Sequence, residues 1–219
     1  MSELSFSVLD IDVEPYAAVP SLRARLRVED VSGRPVHAIA LRCQLRIEPQ
    51  RRDYRGDDEA GLLDLFGPRE RWAQTMKPFL WMHTTTMVQG FSGSCEVELP
   101  LACTYDFDVA AVKYLSALGN GEIPLVFLFS GTVFDRGANG FGVRQIPWDN
   151  NVPYRLPVAV WRELIDQHFP NSGWIRMRRD TLDALVRLRA AHGLTSWDEL
   201  FELMLATCGA DLSEPGVRL

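Results

Sequence analysis

Apolar and polar residues alternate through most of the first 146 residues, and this alternation limits the possible folds more than any other feature. Residues 22–28, LRARLRV, are apolar at every second position, with Arg23, Arg25 and Arg27 between them. A period of two places the apolar side chains on one face of a β-strand, which must be buried against another layer. The pattern predicts a mainly β (α+β) protein, an antiparallel β-sandwich of roughly seven or eight strands with inserted helices.

Two neighbouring segments show the clearest alternation. Residues 39–47, IALRCQLRI, repeat the pattern of residues 22–28, and the segment between them, DVSGRP, contains the turn formers Gly33 and Pro35. We therefore expect residues 19–49 to form a β-hairpin, with the arginines on the solvated face. Further strands are predicted at residues 4–13, 79–88, 95–101, 123–134 and 143–146.

Residues 50–77 depart from the alternating pattern. They begin with the charged run QRRDYRGDDEAG and continue into a short stripe with helical spacing. We expect an excursion off the sheet that contains a helix, capped by Asp57 or Asp58 and ended by Gly67. Residues 107–118 also have helical spacing and predict a second inserted helix. The apolar stripe of the first helix consists of Leu62, Leu63, Leu65 and Phe66.

The chain is expected to divide into a β-sandwich domain at residues 1–150, a linking helix at 151–172 and a strand-helix-helix tail at 173–210. Residues 174–179, WIRMRR, alternate as in a strand. Asp180 is the predicted cap of the next helix, and Gly193 its exit. Ser196 and Glu199 have the spacing of a capping box for the last helix. The stripes expected to be buried are Leu182, Leu185, Val186 and Leu188, and then Leu200, Leu203, Met204 and Leu205.

This order of elements is the layout of a ribbon-helix-helix unit, in which strands from two copies pair and their outward side chains contact DNA. The outward residues here would be Trp174, Arg176 and Arg178. A unit of this size buries little surface alone, so it must dock on its own domain or on a second chain. Docking on its own domain is the simplest interpretation, and a homodimer and DNA binding remain alternatives.

Composition limits the classes of partner. The chain has a net charge of -6 and a sequence pI of about 5.3, which disfavours binding to nucleic acid or anionic membranes. The longest apolar stretch, residues 123–129, is too short to span a membrane. The first residues have no secretory pattern, so we expect a cytoplasmic protein with reduced thiols. The four cysteines, none in a CxxC motif, are Cys43, Cys95, Cys103 and Cys208.

The sequence contains no recognisable catalytic motif. No two histidines stand at i, i+4, and neither a GxSxG elbow nor a strand-to-helix phosphate loop is present. We therefore predict a protein that is not an enzyme and that needs no metal or other cofactor. Trp and Arg are common at interface hot spots, which makes Arg69, Arg71 and Trp72 candidate partner-binding residues along with the tail positions. Trp72, in the charged stretch PRERW, is expected to be exposed.

Four stretches resemble an uncharacterised bacterial family whose members have a similar length. They are LLDLFGPRERW, CTYDFDVAAVKYLSALGNGEIPLVFLFSGTVF, IPWD and VAVWRELIDQHFPNSGWIRMRRDTLDALVRLRAAHGLTSWDELFELMLA, and together they cover most of residues 62–206. Genes of that family tend to neighbour genes of high-affinity, oxygen-tolerant nickel–iron uptake hydrogenases. The resemblance implies a role in hydrogenase assembly or maturation, although the chain itself lacks the paired CxxC motifs of a hydrogenase.

Three hypotheses follow. The first is a non-catalytic accessory protein that binds another protein, such as a hydrogenase subunit or maturation factor. The second is a ribbon-helix-helix-like DNA-binding regulator. The third is a ligand-binding β-sandwich with a pocket near residues 50–77.

Overall fold

The computed structural model describes residues 4–103, 109–137, 140–147, 149–170 and 177–209. Its strands are β1 (Leu4–Val13), β2 (Ser21–Asp30), β3 (Val36–Ile47), β4 (Phe79–Phe91), β5 (Ser94–Ala102), β6 (Glu122–Gly137), β7 (Gly140–Gln145) and β8 (Asn151–Pro157). Its helices are α1 (Gly56–Phe66), α2 (Trp72–Thr75), α3 (Val109–Ala117), α4 (Val158–His168), α5 (Arg179–Ala191) and α6 (Trp197–Thr207). The mainly β fold with inserted helices is confirmed.

The strands form two antiparallel sheets. The first has the order β1-β2-β5. The second has the order β4-β3-β6, and the long strand β6 then pairs with β8 along its first half and with β7 along its second half. The architecture is sandwich-like, as the alternation predicted.

The predicted inward residues form the core between the sheets. The inward apolar residues of β2 and β3, at alternate positions from Leu22 to Val28 and from Ile39 to Ile47, are buried, and Phe6 of β1 stacks on Phe129 of β6 with ring centroids 4.6 Å apart. The intervening side chains of β2 lie on the outer face. Arg23 pairs with Glu98 on β5 at 3.4 Å, and Arg25 pairs with Asp10 on β1 at 3.8 Å. The central strand of the first sheet is therefore cationic and is flanked by carboxylates.

The predicted hairpin at residues 19–49 is wrong. Strand β2 pairs with β1 and β5, whereas β3 pairs with β4 and β6 in the other sheet. The turn after β2 crosses between the sheets. At its start, the buried Asp30 accepts the N–H of Ser32 at 2.7 Å and forms an ion pair with Arg144 of β7. Strands that face each other across a core alternate in the same way as strands that pair, so periodicity did not distinguish the two arrangements.

Gly131 permits close packing within the second sheet. It lies in β6 opposite Leu41, with φ of 145°. A Cβ at this position would lie 2.2 Å from the carbonyl oxygen of Ala40. Only glycine fits here without displacement of the backbone.

One side of the sandwich is closed by hydroxyl groups. Strands β4 and β5 are edge strands of different sheets, and a short turn connects them. Thr84 Oγ1 of β4 donates to the carbonyl of Pro100 at 2.6 Å, and Thr86 Oγ1 donates to the carbonyl of Glu98 at 3.4 Å. The two edges are therefore joined by side chains, with no backbone ladder between them among the described residues.

Helices α1, α3 and α4 gather at the end of the sandwich where β3 ends and β6 begins. Helix α1 packs on α3, and α4 packs on β1 and β8. The indole ring of Trp161 meets that of Trp81 edge to face at 6.2 Å, and Leu62 and Tyr114 are fully buried. These helices extend the core beyond the sheets.

The observed limits of α1 correct its predicted N-cap and confirm its predicted end. Helix α1 begins at Gly56, before its apolar stripe, and its N-cap is Arg55 instead of Asp57 or Asp58. Asp58 is the third helical residue and accepts the N–H of Arg55 at 3.2 Å. Gly67 ends the helix with a positive φ, as predicted. The helix predicted at residues 107–118 corresponds to α3. Its predicted first residues, 107 and 108, lie outside the described residues.

The chain divides into two compact units, Met1–Pro170 and Asn171–Leu219. Residues 151–157, predicted as part of a linking helix, form strand β8 and pair with β6. Helix α4 also belongs to the first unit. The predicted boundary at residue 150 therefore does not match the division of the chain.

The second unit contains α5 and α6. Gly193, with φ of 65°, follows α5, and Ser196 and Glu199 form the predicted capping box of α6. The cap of α5 was predicted wrongly, because Arg178 is its N-cap and Asp180 lies in its first turn. Of the predicted strand at 174–179, Met177 and Arg178 have no regular structure and Arg179 begins α5; residues 174–176 lie outside the described residues.

Candidate functional site

The excursion at residues 50–77, together with Pro78, forms an open groove in the first unit. Its volume is about 570 Å³. The groove lies beside the helices that close the sandwich, so its floor is part of the core and its rim is in solvent. The lining residues are Gln50, Arg52, Asp53, Tyr54, Arg69, Trp72, Ala73, Met76, Lys77 and Pro78.

A buried ion pair fixes the floor of the groove. The side chains of Arg52 and Asp58 are only 6% and 5% exposed, and they approach to 3.4 Å. Arg52 donates to the carbonyls of Asn120 at 2.5 Å and Glu122 at 2.8 Å. Asp58 also accepts the N–H of Gly119 at 2.8 Å. Because both charges have several partners, the pair anchors α1 and the start of the excursion to the segment before β6.

The prediction that Trp72 is exposed for partner binding is wrong. It is 8% exposed, and its indole N–H donates to the carbonyl of Gly67 at 2.9 Å. Its ring meets Tyr54 edge to face at 5.1 Å. The charged residues Arg69 to Arg71 form a short 3-10 helix before Trp72. The chain then turns, so that the indole lies beneath these residues. Burial of a large aromatic ring with a satisfied N–H is favourable, which a charged local sequence does not indicate.

The other two predicted residues of this segment, Arg69 and Arg71, are exposed. Arg69 forms an ion pair with Glu59 of α1, and its guanidinium lies 5.8 Å from the centre of a Trp72 ring. Lys77 lies further along the rim and donates to the carbonyl of Ala73 at 3.3 Å. The charged residues that line the groove are therefore Arg52, Arg69 and Lys77, which are basic, and Asp53, which is acidic, and the ring of Trp72 packs beneath the guanidinium of Arg69.

The groups below the rim are held in their neutral forms. The hydroxyls of Tyr54 and Tyr114 lie 2.9 Å apart, and Tyr54 donates to the carbonyl of Pro49 at 2.7 Å. Burial raises the pKa of Tyr114 to about 12, and burial together with the neighbouring Tyr114 raises the pKa of Tyr54. Away from the groove, burial in the sandwich also raises the pKa of Cys43 on β3 and of Cys103 after β5 to about 12. At neutral pH these phenols and thiols are protonated, which disfavours them as bases or nucleophiles.

Sequence reasoning missed the groups that shape the groove, namely Arg52, Tyr54, Asp58 and Lys77. For Arg52, Tyr54 and Asp58, the only signal was the density of charge in QRRDYRGDDE, which is equally typical of a solvated loop, and Lys77 had no such signal. Among the described residues, no group of three or more His, Cys, Asp or Glu side chains is placed to hold a metal ion. The helices of the described ranges are too short or too polar to cross a bilayer.

The second unit presents the remaining candidate residues. Arg178 is exposed, whereas Trp174 and Arg176 lie outside the described residues. The prediction of two buried stripes on α5 and α6 is wrong, because only Leu200 is fully buried. Six large apolar residues of these helices are 37% to 41% exposed, namely Leu182, Val186, Leu188, Leu203, Met204 and Leu205.

A family model described as a family of unknown function, DUF6084, matches residues 1–212. The chain belongs to the DUF6084 family. This agrees with the resemblance to an uncharacterised family and adds no activity to it. No curated protein gives a significant match to this DUF6084 member.

Solved structures show only faint likeness. β-Glucosidase 3B from Thermotoga neapolitana is 12% identical over 70% of this chain and 17% of its own, with a TM-score of 0.25. A Bordetella pertussis protein carrying the name ApaA is 13% identical over 71% of this chain and 93% of its own, with a TM-score of 0.23. A β-glucosidase from Kluyveromyces marxianus is 6% identical over 70% and 15%, with a TM-score of 0.24. The chain thus spans about one sixth of the length of these β-glucosidases, and likenesses this low carry no argument about function.

Proposed function

We propose that this DUF6084 member is a non-catalytic accessory protein that binds another protein through the groove at residues 50–78. The observation that carries the proposal is a groove lined by Arg52, Arg69 and Lys77 and by the acidic Asp53, above the buried Arg52–Asp58 ion pair, in which the Nε of Arg52 is left without a hydrogen-bond partner. This floor has little capacity for chemistry, and it holds the rim in one geometry.

The rigidity of the floor favours binding. Arg52 is held by two backbone carbonyls and Asp58, so it does not have to be ordered when a partner arrives. A binding surface that is ordered in advance loses less conformational entropy on association. Trp72 contributes in the same way, because its packing and its hydrogen bond fix the turn that carries Arg69 and Arg71.

The charge of the rim indicates the kind of partner segment. Arg69 and Lys77 line the groove and Arg71 lies next to it, whereas Asp53 is the acidic lining residue. Complementary charge steers association and selects the orientation of a partner. An acidic segment of a cytoplasmic protein fits this rim. The resemblance noted in the sequence supports a hydrogenase subunit or maturation factor as that partner.

Affinity purification of the full chain tests the proposal. The chain is tagged in cells that express hydrogenase genes, and Arg71→Glu/Lys77→Glu is compared with the wild type. Arg42→Glu, an exposed charge reversal on β3 outside the groove, is the matched control. We expect one partner to co-purify with the wild type and the control and to be lost from the double variant. Recovery of no stable partner, or equal recovery with all three proteins, would reject the proposal.

A ligand-binding role is the second candidate, because the groove volume of about 570 Å³ falls within the range of roughly 300–1,000 Å³ seen for small-molecule pockets. Native mass spectrometry of the purified chain, followed by extraction, tests this role. A small molecule retained by the wild type and by Arg42→Glu, but lost from Lys77→Glu, would favour it over the protein-binding role.

A further inference from the structure

The outer face of the second sheet carries almost no charge. Every second residue of positions 38–44 on β3, 83–89 on β4 and 128–134 on β6 points outward, because the residues between them face the other sheet. Each of these strands contributes four outward residues, and β7 and β8 together add three. Strand pairing over these positions has no break in register, so all fifteen side chains share one face. Arg42 is the one Arg, Lys, Asp or Glu among the fifteen.

The outer face of the first sheet is a contrast within the same molecule. There Arg23, Arg25 and Arg27 of β2 pair with carboxylates on the two neighbouring strands. Charged residues make up 24% of the chain, so about four are expected at fifteen outward positions, and their depletion is typical of the core of an interface. The face is also open, since Met87 on β4 is 55% exposed and Val143 on β7 is 62% exposed.

We propose that this face is a homodimer interface, in which the second sheets of two copies pack face to face about a two-fold axis that runs along the strands, between β3 and β6. Such an axis places β3 of each copy opposite β6 of the other. Ala38 and Phe134 occupy one row of the sheet, so Ala38 of each copy lies opposite the larger Phe134 of the other. The surface is not part of the groove, and the proposal does not depend on the groove.

The polar groups of the face suit burial against a second copy. The side chains of Thr132 and Gln145 bond each other at 3.2 Å, so they need no partner from across the interface. Arg42 and Ser130 also share a row, so the same axis brings each Arg42 opposite a serine hydroxyl that can accept its hydrogen bond. The two Arg42 side chains therefore do not face each other.

The area of the face is that of a small specific dimer. Strands lie about 4.8 Å apart and outward residues of one strand about 6.8 Å apart, so four strands and four rows cover roughly 19 by 27 Å, or about 500 Å² per copy. Two copies would bury about 1,000 Å², which is the size that a specific interface has to reach. Two sheets stacked in this way also have the geometry of a sandwich, at about 10 Å between layers.

Sedimentation velocity of the full chain over a dilution series tests the proposal. We expect a species of twice the chain mass that dissociates on dilution. Val143→Lys and Ala40→Lys should each raise the dimer dissociation constant at least about tenfold, because each places a charge in the interface. Ser5→Lys is the matched control. Ser5 is exposed on the outer face of the first sheet, opposite Glu29, and its replacement should leave the constant unchanged.

Ala38→Phe distinguishes this arrangement from general apolar association. Added apolar area strengthens non-specific association. In the proposed dimer the new ring meets Phe134 of the other copy, so we expect the dissociation constant to rise. The wild-type constant should not rise between about 0.05 and about 0.5 M NaCl, because salt weakens only interfaces that depend on charge.

Circular dichroism shows whether each variant keeps its fold. A wild type that is monomeric over the whole series overturns the proposal, and so does a dimer that persists in folded Val143→Lys and Ala40→Lys. Tighter association of Ala38→Phe, equal dissociation of Ser5→Lys, or a wild-type dimer that dissociates in salt also overturns it. If both lysine variants unfold, the Ala38→Phe variant and the salt series decide.

Discussion

Replacing Asp58 with alanine is expected to lower the free energy of unfolding by about 3 kcal/mol, because it breaks a buried ion pair and leaves one partner behind. Arg52 would stay 6% exposed with only the carbonyls of Asn120 and Glu122, and the N–H groups of Arg55 and Gly119 would each lose an acceptor. Breaking a buried pair usually costs about 3–5 kcal/mol, and the two remaining carbonyl contacts place this site at the lower end.

The assay is equilibrium unfolding in urea, followed by tryptophan fluorescence and by circular dichroism. With a slope near 3 kcal/mol per molar urea, a loss of about 3 kcal/mol moves the midpoint down by about 1 M. Asp64→Ala is the matched control, because Asp64 also lies on α1 and pairs with Lys113 of α3 at 3.1 Å. That pair is exposed, so its loss should cost under about 1 kcal/mol.

Asp58→Asn separates the charge from the hydrogen bonds. Its amide oxygen can still accept one N–H while the negative charge is lost, so we expect a midpoint between those of the alanine variant and the wild type. Equal midpoints for Asp58→Ala and Asp64→Ala would refute the reasoning, because the burial of the Arg52 pair would then have no measurable consequence.

Three further predictions test other parts of the first unit. Gly131→Ala should destabilise it by several kcal/mol in urea unfolding, because the new Cβ meets the Ala40 carbonyl, whereas Gly56→Ala, with open space around it, should be neutral or slightly stabilising. Tyr114, with its pKa raised to about 12, adds stability that is complete below pH ~10 and lost as pH rises toward 12; a phenol absorbance titration that finds an ordinary pKa contradicts this. Burial tends to raise the pKa of Asp30, but hydrogen bonds from Ser32 and Arg144 outweigh it and lower the pKa below 3.8. Asp30→Asn should therefore lose about 2 kcal/mol at neutral pH, and the gap should close as pH falls through the folded pKa; a gap independent of pH speaks against an ion pair there.

The sequence predicted strands well because burial of one face is recorded directly in the alternation of residues. The arginines of β2 lie outward and the apolar residues between them lie inward, as the period of two requires. Strand pairing was not predictable in the same way, since β2 and β3 face each other across the core and obey the same pattern. The ion pair from Asp30 to Arg144 joins residues far apart in the chain, and no local rule anticipates it.

The candidate site shows the same limit. The charged run at residues 50–59 is evident in the sequence. Which of its charges are buried depends on the distant segment before β6, because carbonyls of that segment accept hydrogen bonds from Arg52. Trp72 was expected outside because its neighbours are charged, and tertiary packing placed it inside. In the tail, the turn at Gly193 and the box at Ser196 and Glu199 were predicted correctly, whereas the cap at Asp180 was not.

The threonine bonds between β4 and β5 have a consequence for how the protein avoids self-association. An edge strand with open carbonyls and amides is a template on which another chain can add a strand, and it commonly leads to aggregation. Here two backbone carbonyls of β5 are already occupied by hydroxyls of β4. An incoming strand would have to break these bonds and separate the two sheets. The β4–β5 side of the sandwich therefore resists the addition of a foreign strand, and it needs no charged side chain for this protection.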